Sequence, residues 1–309
     1  MISLVNISKS FGGAQALNDI NLTIREGEIF GLIGPDGAGK TTLFRIMTSL
    51  MAPDHGTATV FGLDTIRDYK KIRNITGYMP GKFSLYQDLT IEENIQFFAS
   101  VFGTTINKNY EIIKDVYVQI EPFKTRRAGQ LSGGMKQKLA LCCSLIHHPK
   151  LLILDEPTTG VDAVSRKEFW QLLQKLQQKG ITIVVSTPYM DEAELCDRIS
   201  LIQSGTILKT DEPQNISSGF GQKLLEVKSN KTFQLLKDLE EFPSASSAFS
   251  FGQSIHFTSN DQDLSIAQLE EYLRQKGHQN LIIREIKPGA EDVFMRLMQG
   301  NKMIENYSK

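Results

Sequence analysis

The chain has 309 residues, enough for two domains of ordinary size. Its 34 basic and 35 acidic side chains nearly cancel, so no net positive charge favours nucleic acid as a partner. The three cysteines lack the spacing of a disulfide framework or a metal site. No signal peptide is expected at the N-terminus, and no apolar run is long enough to span a bilayer.

The first two thirds of the chain predict strands that alternate with helices. A buried strand at residues 28–33 leads through a glycine-rich turn into a helix over 41–50, and residues 91–149 form a predominantly helical subdomain. Other predicted elements are strands at 4–7, 20–24, 57–61, 151–154 and 181–186 and a helix at 166–178. Such alternation is typical of an α/β fold with a parallel sheet covered by helices on both faces.

The last third of the chain predicts a separate, smaller domain. Residues 215–219 look like a linker because they are polar and end in glycine. We therefore expect a first domain over 1–215 and a small α+β accessory domain over 220–309, large enough to form its own core. Its elements are predicted to alternate strand and helix, at 224–228, 233–240, 254–258, 266–276, 281–286 and 292–298.

The glycine-rich turn carries a phosphate-binding motif. Residues 34–41 fit the pattern G-x-x-x-x-G-K-[ST] and lie between the predicted buried strand and helix. Glycines let consecutive N–H groups point at an anion, and the helix N-terminus adds its positive dipole end. We expect Lys40 to reach the β- and γ-phosphates of ATP and the Thr41 hydroxyl to hold Mg²⁺. The predicted ATP-binding residues are Gly34, Pro35, Asp36, Gly37, Ala38, Gly39, Lys40, Thr41 and Thr42.

Two carboxylates follow the apolar strand at 151–154. Asp155 ends that strand, where it can coordinate Mg²⁺ directly or through water. Glu156 comes next and is the candidate catalytic residue, because a carboxylate there could polarise the attacking water. An apolar run before Asp-Glu is a moderate signal alone and a strong one after a phosphate-binding loop.

A third motif, Ser132-Gly133-Gly134, opens a predicted helix. It offers a hydroxyl and free N–H groups to an anion. Serine is also a favoured helix cap, so a plain cap is the alternative interpretation. The apolar strand at 151–154 and its two carboxylates follow at the expected distance, and this spacing favours the interpretation as an anion-binding motif.

These motifs, in this order, resemble those of the ABC ATPase family over roughly residues 1–213. The resemblance implies a P-loop NTPase fold, ATP and Mg²⁺ as ligands, and head-to-tail pairing of two cassettes. Each ATP would then lie between one chain's P-loop and the partner's signature, which corresponds to Ser132, Gly133 and Gly134 here. Phe11 matches the aromatic position that stacks on adenine, with a buried strand-end phenylalanine as the alternative. Residues 288–294 resemble a segment of C-terminal extensions on ATPases of ABC-2 exporters.

Two positions depart from the family pattern. Gly81 stands where the family usually has a Gln that contacts Mg²⁺ and water, and Pro188 stands where it usually has a His that contacts the γ-phosphate. We therefore expect this chain's own site to bind ATP and hydrolyse it poorly. Because the signature is intact, a heterodimer in which Ser132 completes a partner's better site is favoured. A homodimer that tolerates both substitutions remains open.

The leading functional hypothesis is an ATPase subunit of a membrane exporter. It would lie peripherally on the cytoplasmic face of the membrane, paired with a second ABC ATPase subunit and with transmembrane permease subunits, one helix of which would sit near residues 81–89. The alternative is an ATP-dependent clamp with little hydrolysis of its own. A non-transport ABC ATPase acting on ribosomes or DNA is disfavoured by the single cassette and the neutral net charge.

Overall fold

In a computed structural model of the chain, residues 1–307 are described, with side chains described as far as Met298. The chain divides into two compact units, Met1–Glu212 and a second that starts at Pro213. Each unit has a hydrophobic core of its own.

A four-stranded antiparallel sheet begins the first unit, in the order β2-β1-β4-β5. Its strands are β1 (Ile2–Phe11), β2 (Ala14–Ile24), β4 (His55–Val60) and β5 (Leu63–Asp64). The first two strands are longer than predicted, and β1 pairs with both β2 and β4. This sheet was not predicted as a separate layer.

A six-stranded sheet forms the second layer, in the order β10-β9-β3-β8-β7-β6. Its strands are β3 (Ile29–Ile33), β6 (Thr76–Met79), β7 (Leu151–Asp155), β8 (Thr182–Thr187), β9 (Arg198–Gln203) and β10 (Thr206–Asp211). All neighbours are parallel except β10, which runs antiparallel to β9 at the edge. Strands β3, β7 and β8 are buried along their whole length, as parallel strands covered on both faces are.

Six α-helices complete the first unit. They are α1 (Lys40–Met47), α2 (Tyr69–Ile75), α3 (Ile91–Val101), α4 (Tyr110–Tyr117), α5 (Gly133–Leu145) and α6 (Ala163–Gln178). Helix α1 lies with both sheets in one core, to which Phe44 and Phe30 contribute fully buried rings. Helices α3 to α5 form the predominantly helical stretch; α3 starts with a capping box between Thr90 and Glu93.

The second unit has βαββαβ topology preceded and followed by a helix. Its elements are α7 (Pro213–Ser218), β11 (Leu224–Lys228), α8 (Thr232–Glu240), β12 (Ala245–Phe251), β13 (Ser254–Ser259), α9 (Ile266–Gln275), β14 (Ile282–Ile286) and α10 (Ala290–Tyr307). The sheet is antiparallel in the order β12-β13-β11-β14, and Leu235, Leu239, Leu269 and Leu273 of α8 and α9 pack into its core.

The boundary between the units differs from the prediction in two ways. The residues predicted as a linker at 215–219 lie mostly in α7, whose Ile216 is fully buried. Proline is favoured in the first turn of a helix, and Pro213 begins this one. The division therefore falls between Glu212 and Pro213.

Candidate nucleotide-binding site

The candidate site lies at the edge of the six-stranded sheet where β3, β8, β7 and β6 end. Strand pairing sets Ile33 beside Thr187 and Asp155 beside Ser186. Ligands of open parallel sheets bind outside the carboxyl ends of the strands. The loops that leave these ends carry Gly34, Pro188, Glu156 and Gly81, which brings the P-loop, the two carboxylates and both substituted positions to one edge.

Lys40 lies inside the P-loop. Its ammonium donates to the carbonyl oxygens of Gly34 at 2.8 Å and Pro35 at 3.1 Å, and lies 3.1 Å from Oε1 of Glu156. The residue is only 4% exposed. A buried cation held by two carbonyls and one carboxylate is placed to meet phosphate oxygens that enter the loop.

Glycine conformation shapes the loop immediately before α1. Gly39 has a φ of +106°, in the left-handed region, and a Cβ there would lie 2.6 Å from the carbonyl oxygen of Ala16 in β2. No other residue type fits this close approach. The loop therefore turns directly into α1, whose first residue is Lys40, with the unpaired N–H groups of the helix N-terminus at the site.

Asp155 and Thr41 form a pair suited to Mg²⁺. Thr41 Oγ1 donates to Oδ2 of Asp155 at 2.7 Å, and Ser186 Oγ donates to Oδ1 at 2.6 Å. Mg²⁺ prefers hard oxygen ligands and is usually held by one or two protein oxygens plus substrate phosphates. The hydroxyl and the carboxylate fit that donor set, and bound Mg²⁺ would neutralise charge on the phosphate oxygens.

Glu156 adopts a backbone conformation that non-glycine residues seldom take. Its φ is +51°, and its N–H donates to both the carbonyl and the hydroxyl oxygen of Ser186, at 3.1 and 3.0 Å. Left-handed backbone costs about 1–2 kcal/mol, so the surroundings must hold it in place. Ser186 was missed from the sequence because its role depends on the pairing of β8 with β7, and no local pattern marks it.

The two substituted positions border the same carboxylates. A Cβ at Gly81 would lie 3.2 Å from the carbonyl oxygen of Asp155 and 3.9 Å from its Cγ, so a side chain here would point at Asp155. Pro188 directly follows β8, and the next N–H, of Tyr189, donates to Thr187 Oγ1 at 3.0 Å. Neither Gly81 nor Pro188 has a polar side-chain atom.

Comparison with known proteins identifies the family of this chain. The profile of the ABC transporter family matches residues 17–159. The "Nod factor export ATP-binding protein I" of Rhizobium sp. strain N33 is 34% identical over 300 residues, covering 96% of each chain. This chain belongs to the ATP-binding proteins of the ABC transporter family. The "Probable multidrug ABC transporter ATP-binding protein YbhF" of Escherichia coli K12 is 38% identical over 307 residues, 97% of this chain and 52% of that protein.

Solved ABC cassettes have the same fold as the first unit. The dimeric cassette MJ0796 bound to ADP and Pi is 29% identical, with a TM-score of 0.62 over 69% of this chain and 98% of that one. The cbiO1 protein of Clostridium perfringens, part of the ABC transporter complex cbiONQ, is 26% identical with a TM-score of 0.64 over 70% of this chain and 90% of that one. The predicted P-loop NTPase fold is thereby confirmed. The chain spans about half the length of the YbhF proteins.

The predicted signature, Ser132-Gly133-Gly134, lies at the start of α5. Ser132 is the N-cap, and its hydroxyl oxygen accepts from the N–H of Met135 at 3.4 Å. Ser132 and Gly133 are exposed, whereas a Cβ at Gly134 would lie 2.9 Å from Ser165 Oγ of α6. The serine thus caps its own helix and still faces solvent, and the glycine lets α5 approach α6 closely.

Phe11 is exposed at the end of β1. Its side chain is 47% exposed, and the Lys9 ammonium lies 5.7 Å from its ring centroid. The alternative of a buried strand-end phenylalanine is therefore wrong. The adenine-stacking role of Phe11 stays a prediction. Strand β2, which pairs with β1, contacts the P-loop where Ala16 meets Gly39, and this contact favours that role.

An apolar groove lies next to the Gly81 loop. Its volume is about 220 Å³, and its lining includes Tyr78, Pro80, Phe83, Leu85, Phe98 and Phe102. The ring of Phe102 stacks on His147 at 3.9 Å between centroids. Burial lowers the pKa of His147 to about 4, although a hydrogen bond to the Thr76 carbonyl opposes this. His147 is therefore neutral near pH 7 and adds no charge to the groove.

No helix in residues 1–307 combines the length and the hydropathy needed to cross a membrane. Among the side chains described, as far as Met298, no group of three or more His, Cys, Asp or Glu could hold a metal ion. The Mg²⁺ expected here relies on one carboxylate and one hydroxyl, so it does not need such a group.

Proposed function

We propose that this ABC protein is the ATP-driven subunit of a membrane exporter. The observation that carries the proposal is the pairing of Lys40 inside the P-loop with Thr41 and Asp155 at the adjacent strand end. The names of relatives with multidrug and Nod factor export functions support export as the direction of transport. The cargo would be recognised by a transmembrane partner.

ATP binding would rearrange the contacts of Lys40 and Thr41. Phosphate oxygens entering the P-loop attract the Lys40 ammonium away from the Glu156 carboxylate, now 3.1 Å away. Thr41 and Asp155 are the residues that would hold Mg²⁺, so the hydrogen bond that now joins the Thr41 hydroxyl to Asp155 would give way to contacts of both oxygens with the metal. Glu156, freed from the lysine, can then accept a proton from the attacking water.

Hydrolysis at this chain's own P-loop is proposed to be slow. Gly81 and Pro188 border Asp155 and the end of β8 without offering a donor to the charge that develops on the γ-phosphate. Removing one well-aimed donor typically costs about 2.7–4 kcal/mol of transition-state stabilisation. The two losses need not add, because residues that act together are not independent.

The signature is proposed to serve a second, non-identical cassette. Ser132 and the N-terminus of α5 are exposed and unsubstituted, so they can complete a site on a partner that keeps the missing Gln and His. A homodimer remains the competing arrangement.

The apolar groove is the proposed contact for the permease. It borders the loop at residues 81–89, and apolar grooves accept amphipathic helices readily. Through this contact the protein would sit on the cytoplasmic face of the membrane, with no role for nucleic acid. The second unit is proposed to be an accessory domain at residues 213 onward.

Affinity purification of the tagged chain from native membranes tests the proposal. We expect a permease and a second ABC ATPase to co-purify, and the complex to hydrolyse ATP. Ser132→Arg, which removes the signature from the partner's site, is the control for contaminating activity. Recovery of the chain with neither partner would contradict the transport proposal. A complex that ATP stabilises but that does not hydrolyse ATP would favour the second candidate, an ATP-dependent clamp. The substitutions at Gly81 and Pro188 are the reason for keeping this candidate.

A further inference from the structure

One carboxylate outside the motifs is almost completely buried beside the site. Glu192 is 2% exposed and lies in the 3₁₀ turn Met190–Leu195, four residues beyond Pro188. Burying a carboxylate is unfavourable unless hydrogen bonds and opposite charges compensate. Its partners therefore indicate what it does.

The two oxygens of Glu192 have different surroundings. Oε2 accepts a hydrogen bond from Thr158 Oγ1 at 3.1 Å, and Thr158 is itself 1% exposed. Oε1 has no hydrogen-bond partner among the described residues, but Nη1 of Arg166 lies 3.9 Å away. The arginine thus places a positive charge near Oε1 without donating a hydrogen bond to it. The hydrogen bond that orients the carboxylate comes from Thr158.

Arg166 binds the same turn from outside. Its Nη2 lies 3.3 Å from Oδ2 of Asp191, and its guanidinium lies 4.9 Å from the ring centroid of Tyr189. Thr158, Arg166 and Glu192, which we call the Glu192 clasp, therefore join three segments. These are the loop after β7, the first turns of α6, and the segment after β8 that carries Pro188.

The turn that carries Glu192 is fixed to the sheet. Cys196 Sγ donates to the carbonyl oxygen of Glu192 at 3.8 Å and is buried next to Gly31 of β3. Gly31 of β3 makes this possible, because a Cβ there would lie 2.9 Å from that sulfur. The clasp thus connects the loop after β7 to a rigid element.

We propose that Glu192 is a positioning residue for Glu156, acting through Thr158. Glu156 has a left-handed backbone; its N–H donates to Ser186, and its carbonyl oxygen accepts from the N–H of Thr159. The hydrogen bond to Glu192 fixes Thr158, which lies between Glu156 and Thr159 in the chain. The inference rests on the proposed function in one respect, that Glu156 acts on the water that attacks ATP.

Hydrogen exchange in the full chain tests the positioning directly. Thr158→Val keeps the shape of the side chain and removes the donor, while Thr158→Ser keeps the donor. In Thr158→Val we expect the amides of Thr159 and Val161, which bond to Glu156 and Thr158 carbonyls, to exchange about tenfold faster. Thr158→Ser should exchange like the unsubstituted chain.

Thr182→Val is the matched control for lost stability. Thr182 is 2% exposed, and its hydroxyl accepts from the N–H of Gly27 at 2.9 Å, at the opposite end of β8. It should leave exchange at Thr159 and Val161 unchanged. Equal acceleration in Thr158→Val and Thr182→Val, or none in Thr158→Val, would overturn the proposal.

Single-turnover hydrolysis by the purified complex then separates positioning from folding. In a complex that also carries Ser132→Arg, which silences the partner's site, we expect Thr158→Val to lower kcat at this chain's site about tenfold and to change KM for ATP less than about twofold. Glu192→Gln keeps an oxygen for Thr158 but loses the charge facing Arg166. It should therefore lower kcat less than Thr158→Val does. Faster local exchange with unchanged kcat would overturn the role in catalysis. If the unsubstituted complex is no faster than the Ser132→Arg complex, the proposed function fails, and hydrogen exchange alone then tests the Glu192 clasp.

Discussion

The P-loop side and the signature side of this cassette differ in how complete they are. On the P-loop side, Lys40, Thr41 and Asp155 form a connected set of contacts, but the rim at Gly81 and Pro188 lacks polar side chains. On the signature side, the exposed cap of α5 keeps its hydroxyl and glycines. Under the proposed function, binding ATP and hydrolysing it would depend on separable residues, and the chain keeps the residues proposed for binding and for serving a partner.

The largest expected effect is at the signature. In the assembled complex, Ser132→Arg should lower ATPase activity at least about a hundredfold, because it puts a bulky side chain where an anion would meet the helix N-terminus. Steady-state phosphate release measures this. Ser100→Arg is the control, since Ser100 is an exposed serine of α3 in the same subdomain. If Ser132→Arg keeps more than half of the activity, the signature does not complete the site that carries the turnover, and the proposed difference between the two sides is wrong.

The metal contact should show the next largest effect. Asp155→Asn removes the charge that faces Mg²⁺ while keeping an oxygen for Ser186 or Thr41. We expect ATP to bind about tenfold or more weakly with Mg²⁺ present, and nearly unchanged with EDTA. Calorimetric titration in both buffers measures the difference. If Asp155→Asn weakens ATP binding equally in the Mg²⁺ and the EDTA buffer, Asp155 does not act through the metal.

Restoring the missing side chains should raise turnover at this chain's own P-loop. Gly81→Gln combined with Pro188→His is expected to give a gain of about tenfold, below the hundredfold or more that one donor can supply. The gain is limited because a Cβ at position 81 lies 3.2 Å from the Asp155 carbonyl oxygen, so the loop must shift. Single-turnover rates measure it, and Gly81→Ala, which adds the Cβ alone, should show no gain.

The smallest effect is expected at the candidate catalytic carboxylate. Glu156→Gln should lower the total ATPase of the complex by at most about threefold, since most turnover would come from the partner's site. The same phosphate-release assay applies, with Ser132→Arg as the reference. A loss as large as that of Ser132→Arg would show that this chain's own site carries the turnover.

The chemistry of the site was largely predictable because its motifs are local. The P-loop, the Asp155–Glu156 pair and the signature are short runs whose spacing indicates phosphate binding. Ser186 and Glu192 could not be found this way. Their roles follow from the pairing of β7 with β8 and from burial next to Thr158, and neither is written in adjacent residues.

The fold was predicted best where hydrophobic periodicity is strong. Strand β11 was predicted with its observed bounds, and α8 and α9 within one residue at each end. Strand β12 was missed because it is rich in serine and alanine, which do not indicate a strand. The predicted linker proved helical because packing of Ile216 outweighed its polar neighbours.

The central claim is tested most directly by comparing the purified chain with the purified complex under the same conditions. The account predicts that the chain alone is stabilised by ATP with Mg²⁺, loses this stabilisation on Lys40→Ala, and hydrolyses ATP at least about tenfold more slowly per cassette than the complex. Equal rates per cassette for the chain alone and the complex would contradict it.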